Sequence, residues 1–241
     1  MKALLMAAGR GTRISRYLNG NPKSTVDIGG GLPLILYTVR MLKKKGVDEI
    51  GIVTGYRHEV IEDLLRNEGV RFFYNPFFDV TNSIASAWFA ADFLDDDVIV
   101  MNADVFCEEA LYDRMLSCKQ DPVMFYDTSR REEADYKFYC VDDRIVKYGK
   151  ELTLEETSGE YVGLAKMSKS FLPSFIKRLG EMIENQEHGV WWENVLYSMS
   201  DKTPIHVVDL NGGFWAEVDY IEDYERIKQF VADSKGANKS I

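Results

Sequence analysis

The chain contains 241 residues, of which 46% are hydrophobic, and it carries a formal net charge of −10. This apolar content is sufficient for a folded core and excludes a largely disordered chain, and the length fits one large α/β domain. The negative charge argues against general nucleic-acid binding, and no apolar stretch approaches the length of a membrane span.

The first half of the chain alternates between strand and helix patterns, the order that a layered sheet with parallel strands requires. A buried-strand pattern begins at Ala3 and runs directly into a glycine-containing turn. The residues that follow predict a helix at 34–42, a strand at 49–53, a helix at 60–65, a strand at 70–74, a helix at 83–94 and a strand at 97–101. Turns after such strands lie at the sheet edge where open α/β sheets bind ligands.

The second half is richer in strand patterns. It predicts strands at 123–126, 137–141, 145–148 and 160–167, helices at 170–184 and 193–200, strands at 205–208 and about 214–218, and a last helix at 221–231. Asp142 and Asp143 are predicted to form a hairpin turn. Because no linker or repeat divides the chain, we predict one domain over residues 1–241. Its fold is a three-layer α/β/α, Rossmann-like arrangement around a mixed, mostly parallel sheet, with a loose tail at 232–241.

The turn after the first strand has the residue types of a phosphate-binding loop. Gly9 and Gly11 lack side chains, so backbone N–H groups there can approach phosphate oxygens closely. Arg10, Arg13 and Lys23, which follows a proline, supply positive charge. The spacing matches neither a Walker A loop nor a dinucleotide fingerprint. The glycines alone fit an ordinary strand-to-helix turn equally well, but the added cations favour phosphate binding.

Two aspartates, Asp104 and Asp219, each follow a predicted strand. A magnesium ion that bridges phosphates is typically held by one or two carboxylates. Taken singly, each aspartate is explained as well by a helix N-cap or a turn. Together, beside the glycine loop, they predict a Mg²⁺ site formed by Asp104 and Asp219.

The motifs also carry a family resemblance. Residues 7–13, Ala-Ala-Gly-Arg-Gly-Thr-Arg, followed by Pro22-Lys23, resemble the signature of nucleotidylyltransferases that make activated sugars and activated alcohols. Residues 81–86, 191–196 and 217–224 resemble motifs of the bacterial CTP:phosphocholine and 2-aminoethylphosphonate cytidylyltransferases. In the family's Asp-x-Asp motif, Asn102 replaces the first carboxylate, so Asp104 must act alone there. The family's Leu-x-Pro-Leu-Thr segment is absent after Arg13.

The resemblance implies the nucleotide-diphospho-sugar transferase fold, with a nucleotide-binding half at 1–120 and an acceptor-binding half at 121–231. It also implies transfer of CMP from CTP to a small phosphate or phosphonate monoester, with release of pyrophosphate and Mg²⁺ as cofactor. Lys23 and Arg13 are the predicted catalytic cations. The predicted nucleotide-binding residues are Ala7, Ala8, Gly9, Arg10, Gly11, Thr12, Arg13, Lys23, Thr54, Asn75, Asn82, Ser86, Asn102 and Asp104.

The predicted acceptor carries an ammonium group, which binds aromatic faces and carboxylates. Adjacent tryptophans on a helix cannot share a face, so one of Trp191 and Trp192 is expected in the core. The predicted acceptor-binding residues are Tyr136, Tyr161, Trp191, Trp192, Glu193 and Glu217.

Three alternatives remain open at this point. The acceptor can be a sugar 1-phosphate, or a phosphorylated amino acid whose carboxylate is held by Arg130, Arg131 or Lys137. A nucleotide-binding regulatory subunit without turnover is the alternative that is not an enzyme.

The partners expected are CTP and the small acceptor, without nucleic acid or membrane, and a homodimer is compatible with the sequence. The three cysteines have no metal-ligand spacing, so we expect free thiols and a cytoplasmic protein.

Overall fold

The computed structural model describes residues 1–11 and 13–237; Thr12 and residues 238–241 lie outside the described residues. A nine-stranded mixed sheet forms the centre of the fold, and a two-stranded sheet lies beside it. The strands are β1 Lys2–Ala7, β2 Glu49–Thr54, β3 Arg71–Tyr74, β4 Val98–Asn102, β5 Val105–Cys107, β6 Val123–Asp127, β7 Lys137–Val141, β8 Arg144–Gly149, β9 Gly159–Met167, β10 His206–Asp209 and β11 Trp215–Glu217. The helices are α1 Leu34–Lys44, α2 His58–Leu65, α3 Ser83–Phe89, α4 Glu109–Ser117, α5 Leu172–Glu184, α6 Asn194–Tyr197 and α7 Ile221–Ala237.

The strand order of the large sheet is β3-β2-β1-β4-β9-β6-β10-β8-β7. The pairs within β3-β2-β1-β4 are parallel, as is the pair of β6 with β10. Strand β9 runs antiparallel to its neighbours β4, β6 and β7, and β8 runs antiparallel to β7 and β10. The sheet is therefore mixed, as predicted, but parallel pairs do not predominate over its whole width.

The hairpin turn at Asp142 and Asp143 explains one of these antiparallel pairs. Both residues have positive φ, 50° and 56°, which is the backbone shape of a two-residue turn that matches the twist of its strands. The turn returns the chain directly beside itself. Strands β7 and β8 are thus antiparallel neighbours at the sheet edge.

Burial of both faces of β1 determines the layered arrangement. Leu4 and Met6 belong to one apolar cluster, whereas Ala3, Leu5 and Ala7 belong to another on the opposite face. The first cluster includes apolar residues of α3, α5 and α6, and the second includes those of α1, α2 and α4. Because side chains alternate across a strand, the continuous apolar run in β1 requires helices on both faces. The predicted three-layer fold is confirmed.

Several boundaries differ from the sequence prediction. Strand β5 and helix α4 were not predicted, and α3 ends at Phe89 rather than continuing as one α-helix to residue 94. Helix α7 extends to Ala237, so residues 232–237 of the predicted tail are helical, and the rest of that tail, residues 238–241, lies outside the described residues. Within the described part of the chain, no helix combines the length and apolar character needed to cross a bilayer.

Candidate active site

A cleft of about 560 Å³ opens at the carboxyl ends of β1 and β4. Its walls also include the start of α3, residues beside β7 and β8, and the end of β11. The structure places these predicted site residues in its lining: Ala7, Ala8, Gly9, Arg10, Gly11, Arg13, Lys23, Asn82, Ser86, Asn102, Asp104, Tyr136, Tyr161, Trp191, Glu193, Glu217 and Asp219.

The glycine loop allows Lys23 to lie across it. Gly11 has φ of +60°, a backbone conformation that residues with side chains rarely adopt. A Cβ atom at this position would overlap the aliphatic part of the Lys23 side chain, whereas a Cβ at Gly9 would meet nothing within 4 Å. Gly11 is therefore required for the present position of Lys23 even before any ligand is considered.

Lys23 connects the loop to the two predicted carboxylates. Its Nζ donates to Asp219 Oδ1 and lies 3.4 Å from Asp104 Oδ2. Arg13 Nη1 donates to Asp219 Oδ2 at 2.6 Å. The N-terminal cations and the two distant aspartates thus meet in one cleft, as the sequence predicted.

Pairing of the two short strands brings the carboxylates together. Strand β5 follows Asp104 directly, and its Val105 lies opposite Glu217 of β11. The backbone N–H of Val218 donates to the carbonyl of Asp104 at 2.9 Å. As a result, one carboxylate oxygen from each of Asp104, Glu217 and Asp219 lies within 4.8 Å of the others. These hard oxygen donors fit a divalent cation such as Mg²⁺.

The charges in this cluster perturb one another. Burial raises the pKa of Glu217 well above its usual value, and the nearby charges of Asp104 and Asp219 raise it further. Burial also raises the pKa of Asp104, although Lys23 opposes this change. Burial lowers the pKa of Lys23, but the carboxylates outweigh it and the net shift is upward. The cluster therefore favours a bound cation, since its buried carboxylates repel one another.

A second part of the cleft is aromatic. The ring centroid of Tyr136 lies 5.4 Å from that of Trp191 and 5.9 Å from that of Tyr197. We call these three residues the aromatic wall; all three line the cleft. Trp191 is 40% exposed, so part of its side chain is available to a ligand.

Glu193 lies between the aromatic wall and the carboxylate cluster. Its Oε1 accepts hydrogen bonds from Asn102 Nδ2 and Tyr161 Oη, both at 3.3 Å. Burial raises the pKa of Glu193 to about 7. The side chain is therefore close to half-protonated at neutral pH, and the Asn102 amide fixes its orientation.

Three predicted binding residues do not line the cleft. Thr54, Asn75 and Trp192 are completely buried, so the structure does not bring these three predicted contact residues to the surface of the cleft. Asn75 instead donates to Ser86 Oγ at 3.0 Å, and Trp192 Nε1 donates to Asn102 Oδ1 at 3.0 Å. Asn75 and Trp192 thus position residues of the lining. The predicted contact at Thr12 lies outside the described residues.

Part of the lining was not predicted from the sequence. Phe78, Asp135, Lys150 and Tyr197 contribute to the cleft. Asp135 and Tyr197 lie beside predicted site residues or their motif in sequence, which is a usable signal. Lys150 is far from every motif, and only the pairing of β7 with β8 brings it to the cleft.

The fold and the site together define a nucleotidyltransferase: the chain belongs to the MobA-like NTP transferase domain family, which matches residues 3–203. Its relatives include a choline-phosphate cytidylyltransferase of Streptococcus pneumoniae, 24% identical over 240 residues, with 96% of this chain and 98% of the relative covered. A CTP:phosphoglutamine cytidylyltransferase of Campylobacter jejuni is 25% identical over 250 residues, with 93% and 98% covered.

Solved structures show the same fold. The CTP:phosphocholine cytidylyltransferase of Streptococcus pneumoniae superposes with a TM-score of 0.77 at 20% identity, covering 95% of this chain and 98% of that one. The inositol-1-phosphate CTP transferase of T. maritima gives a TM-score of 0.74 at 20% identity, covering 95% of each chain. The resemblance and fold predicted from the motifs are confirmed.

The conformation of Gly11 predicts a stability effect that does not require a ligand. Gly11→Ala should lower the free energy of unfolding by about 1–2 kcal/mol, because it strains a left-handed residue and displaces Lys23. Gly9→Ala is the matched control and should change it by less than about 0.5 kcal/mol. Urea unfolding measures both. Equal effects of the two substitutions would contradict the assigned packing of Lys23 on Gly11.

The raised pKa of Glu193 predicts a pH-dependent stability. The stabilisation that follows from this raised pKa is fully present below about pH 4.5, the pKa of Glu193 in the unfolded chain. It is lost as pH rises through about 7, its pKa in the folded protein. In the absence of divalent cations, the free energy of unfolding of Glu193→Gln relative to that of wild type should therefore rise from pH 5 to pH 8, by on the order of 3 kcal/mol. Unfolding curves at both pH values measure this. Exposed Glu184→Gln is the control, and a pH-independent difference for Glu193→Gln would refute the assignment.

Proposed function

We propose that the protein is a cytidylyltransferase that transfers CMP from CTP to a small phosphate or phosphonate monoester whose head group carries an ammonium. Phosphocholine and 2-aminoethylphosphonate are representative acceptors. The acceptor oxygen forms a bond to the α-phosphorus of CTP. The bond from that phosphorus to the bridging oxygen breaks, and pyrophosphate leaves with the electron pair.

The observation that carries the proposal is the convergence of Lys23 and Arg13 with Asp104, Glu217 and Asp219 beside the glycine loop. Phosphoryl transfer to an oxygen that is already charged needs no general base. Catalysis then depends on alignment and on stabilisation of charge at the phosphorus. A cleft with cations facing a group of carboxylates supplies both functions.

The chain's own cations provide the alignment. Lys23 lies between the loop and the carboxylates, where its ammonium can contact both the α-phosphate and the acceptor phosphate. Arg13 is 49% exposed at its side chain and can turn from Asp219 to the β- and γ-phosphates. Backbone N–H groups near Gly9 and Gly11 complete the phosphate site.

Asp104 and Asp219 are the proposed Mg²⁺ ligands, and the nearby Glu217 completes the acidic cluster. When bound, the ion neutralises the charge that develops on the phosphate oxygens. Release of Asp219 from Lys23 and Arg13 frees its oxygens for that role. The same movement frees both cations for phosphate.

The remaining walls separate nucleotide from acceptor. Asn82 and Ser86 of the α3 region line the cleft beside the loop and are proposed to contact the base or ribose. Asn75 supports Ser86 from behind. The aromatic wall and Glu193 are proposed to hold the ammonium head, because ring faces and carboxylates attract cations.

The aromatic wall favours this acceptor class over a sugar 1-phosphate. A sugar needs hydroxyl-binding polar groups, whereas this part of the cleft is lined by the aromatic residues Tyr136, Trp191 and Tyr197. A regulatory subunit without turnover has no need to keep Lys23 among three carboxylates. The names of the relatives, which are CTP-dependent transferases of phosphocholine and phosphoglutamine, support the same choice.

A substrate screen tests the reaction. ATP, CTP, GTP and UTP are each combined with phosphocholine, 2-aminoethylphosphonate and glucose 1-phosphate in the presence of Mg²⁺, and pyrophosphate release is measured. We expect CTP to be used at least about tenfold better than the other nucleotides with an ammonium-bearing acceptor. Preferred use of glucose 1-phosphate would refute the proposal, as would the absence of pyrophosphate release in every combination.

Substitutions test the roles of the ion-paired cluster. Lys23→Met and Asp219→Asn should each lower kcat/KM by about 10²-fold or more, because each removes charge stabilisation in the transition state. Both variants should remain folded by circular dichroism. Asp113→Asn, which removes an exposed carboxylate that pairs with Lys45 outside the cleft, is the control. Near-wild-type turnover in either cluster variant would contradict its role.

A further inference from the structure

An ion pair lies in the aromatic part of the cleft. Lys150 Nζ and Asp135 Oδ2 are 2.6 Å apart, and both residues line the cleft. Among the described lining residues, the other cations are Arg10, Arg13 and Lys23, which belong to the phosphate loop or contact it. Lys150 is therefore the cation of the described lining that lies outside the glycine loop and its contacts, beside Trp191 and Asp135.

Lys150 also occupies a position relevant to an ammonium ligand. Its Nζ lies 5.9 Å from the centroid of the Trp191 ring, within the distance at which a cation is attracted to a ring face. A ligand whose head is only an ammonium can replace Lys150 at Asp135, but it then leaves the Lys150 ammonium without a counter-charge. A ligand that also carries an anionic group near its ammonium would neutralise Lys150 instead.

We propose that Lys150 and Asp135 form a subsite for a zwitterionic head group, and that the acceptor is a phosphate or phosphonate monoester bearing both an ammonium and a carboxylate. This inference rests on the proposed function and narrows its acceptor class. The carboxylate of the ligand accepts hydrogen bonds from Lys150. Its ammonium donates to Asp135 and lies against the aromatic wall.

The existing ion pair is suited to this exchange. The side chains of Lys150 and Asp135 are 39% and 64% exposed. The attraction between two ions with such exposure is weak, so a ligand can separate them at little cost in free energy. The ligand supplies one charge of each sign in their place. No charge is left unpaired when the head group binds, so the exchange carries no penalty for an isolated charge.

The β7–β8 hairpin builds the subsite. Lys137 at the start of β7 pairs with Gly149 at the end of β8, which brings the flanking residues Asp135 and Lys150 to the same end of the hairpin. Lys137 Nζ donates to the backbone carbonyls of Lys150 and Leu152, at 3.3 and 2.9 Å. Lys137 thus fixes the backbone that presents Lys150.

The cations considered from the sequence for a carboxylate are engaged elsewhere. Arg130 Nε donates to Glu160 at 2.7 Å, and Arg131 Nη2 donates to the carbonyl of Leu154 at 2.8 Å. Neither residue lines the cleft, and Lys137 does not line it either. These contacts favour Lys150, rather than any of those three residues, as the cation that binds the carboxylate of the ligand.

Two acceptors that differ by one carboxylate test the subsite. O-phosphoserine and phosphoethanolamine share a phosphate and an ammonium, and only O-phosphoserine has a carboxylate. With CTP and Mg²⁺, we expect kcat/KM to be at least about tenfold higher for O-phosphoserine. Lys150→Met should raise the KM for O-phosphoserine at least about tenfold and change that for phosphoethanolamine less than about threefold.

Lys147→Met is the matched control. Lys147 lies in the same hairpin, pairs with Glu156 at 2.5 Å and does not line the cleft, so its loss should leave both KM values unchanged. Equal use of the two acceptors by the wild type overturns the subsite, as does an equal loss for both acceptors in Lys150→Met. If either outcome overturns the subsite, efficient turnover of phosphoethanolamine with CTP would still support the proposed reaction.

Binding without CTP separates the two proposals in the other direction. The shift in melting temperature with O-phosphoserine should exceed that with phosphoethanolamine, and Lys150→Met should abolish the difference. If this difference is present while no nucleotide is turned over, the subsite is supported and the proposed reaction fails. Absence of any Lys150-dependent difference in binding overturns the subsite.

Discussion

The contact of Lys23 with Asp219 holds the candidate site together. These residues are 196 positions apart, and their ion pair joins the loop after β1 to the residues after β11. Neither segment forms a complete site alone, because one supplies cations and the other supplies carboxylates. Their opposite charges are partly buried, so each stabilises the other in an environment that would penalise it singly. Arg13 contacts Asp219 at the same junction, whereas the pairing of β5 with β11 brings Asp104 and Glu217 to it.

The same junction relates the ligand-free protein to its proposed reaction. Without substrate, Lys23 and Arg13 neutralise Asp219. In the proposed complex, the nucleotide phosphates would pair with Lys23 and Arg13, and Asp104 and Asp219 would hold the divalent cation. A preformed cluster of this kind reduces the reorganisation needed at the reacting phosphorus.

The residues of the proposed phosphate site were found from the sequence because their signals are local. Gly9, Gly11 and Lys23 lie within one short segment, and Asp104 and Asp219 each follow an apolar run that reads as a strand. Strand β5 was missed because three residues between a turn and a helix give too little periodicity, yet its pairing with β11 is what brings the carboxylates together. Helix α4 has a weaker apolar stripe than α5 and was missed for a similar reason.

The acceptor end was less predictable because it depends on strand register. Tyr136, Trp191 and Glu193 were identified by residue type and motif, but Lys150 reaches the cleft only because Lys137 pairs with Gly149. A shift of one residue in that register would turn the side chains to the other face. Thr54, Asn75 and Trp192 were assigned to the ligand because polarity or aromatic character does not reveal depth. Because they are completely buried, they lie beneath the residues that line the cleft.

A crystal structure with CTP and Mg²⁺ tests the central claim most directly. We expect the metal on Asp104 and Asp219, the ammonium of Lys23 moved from Asp219 to the α-phosphate, and the triphosphate lying along residues 9–13. A triphosphate bound away from this loop, with the contact between Lys23 and Asp219 intact, would contradict it.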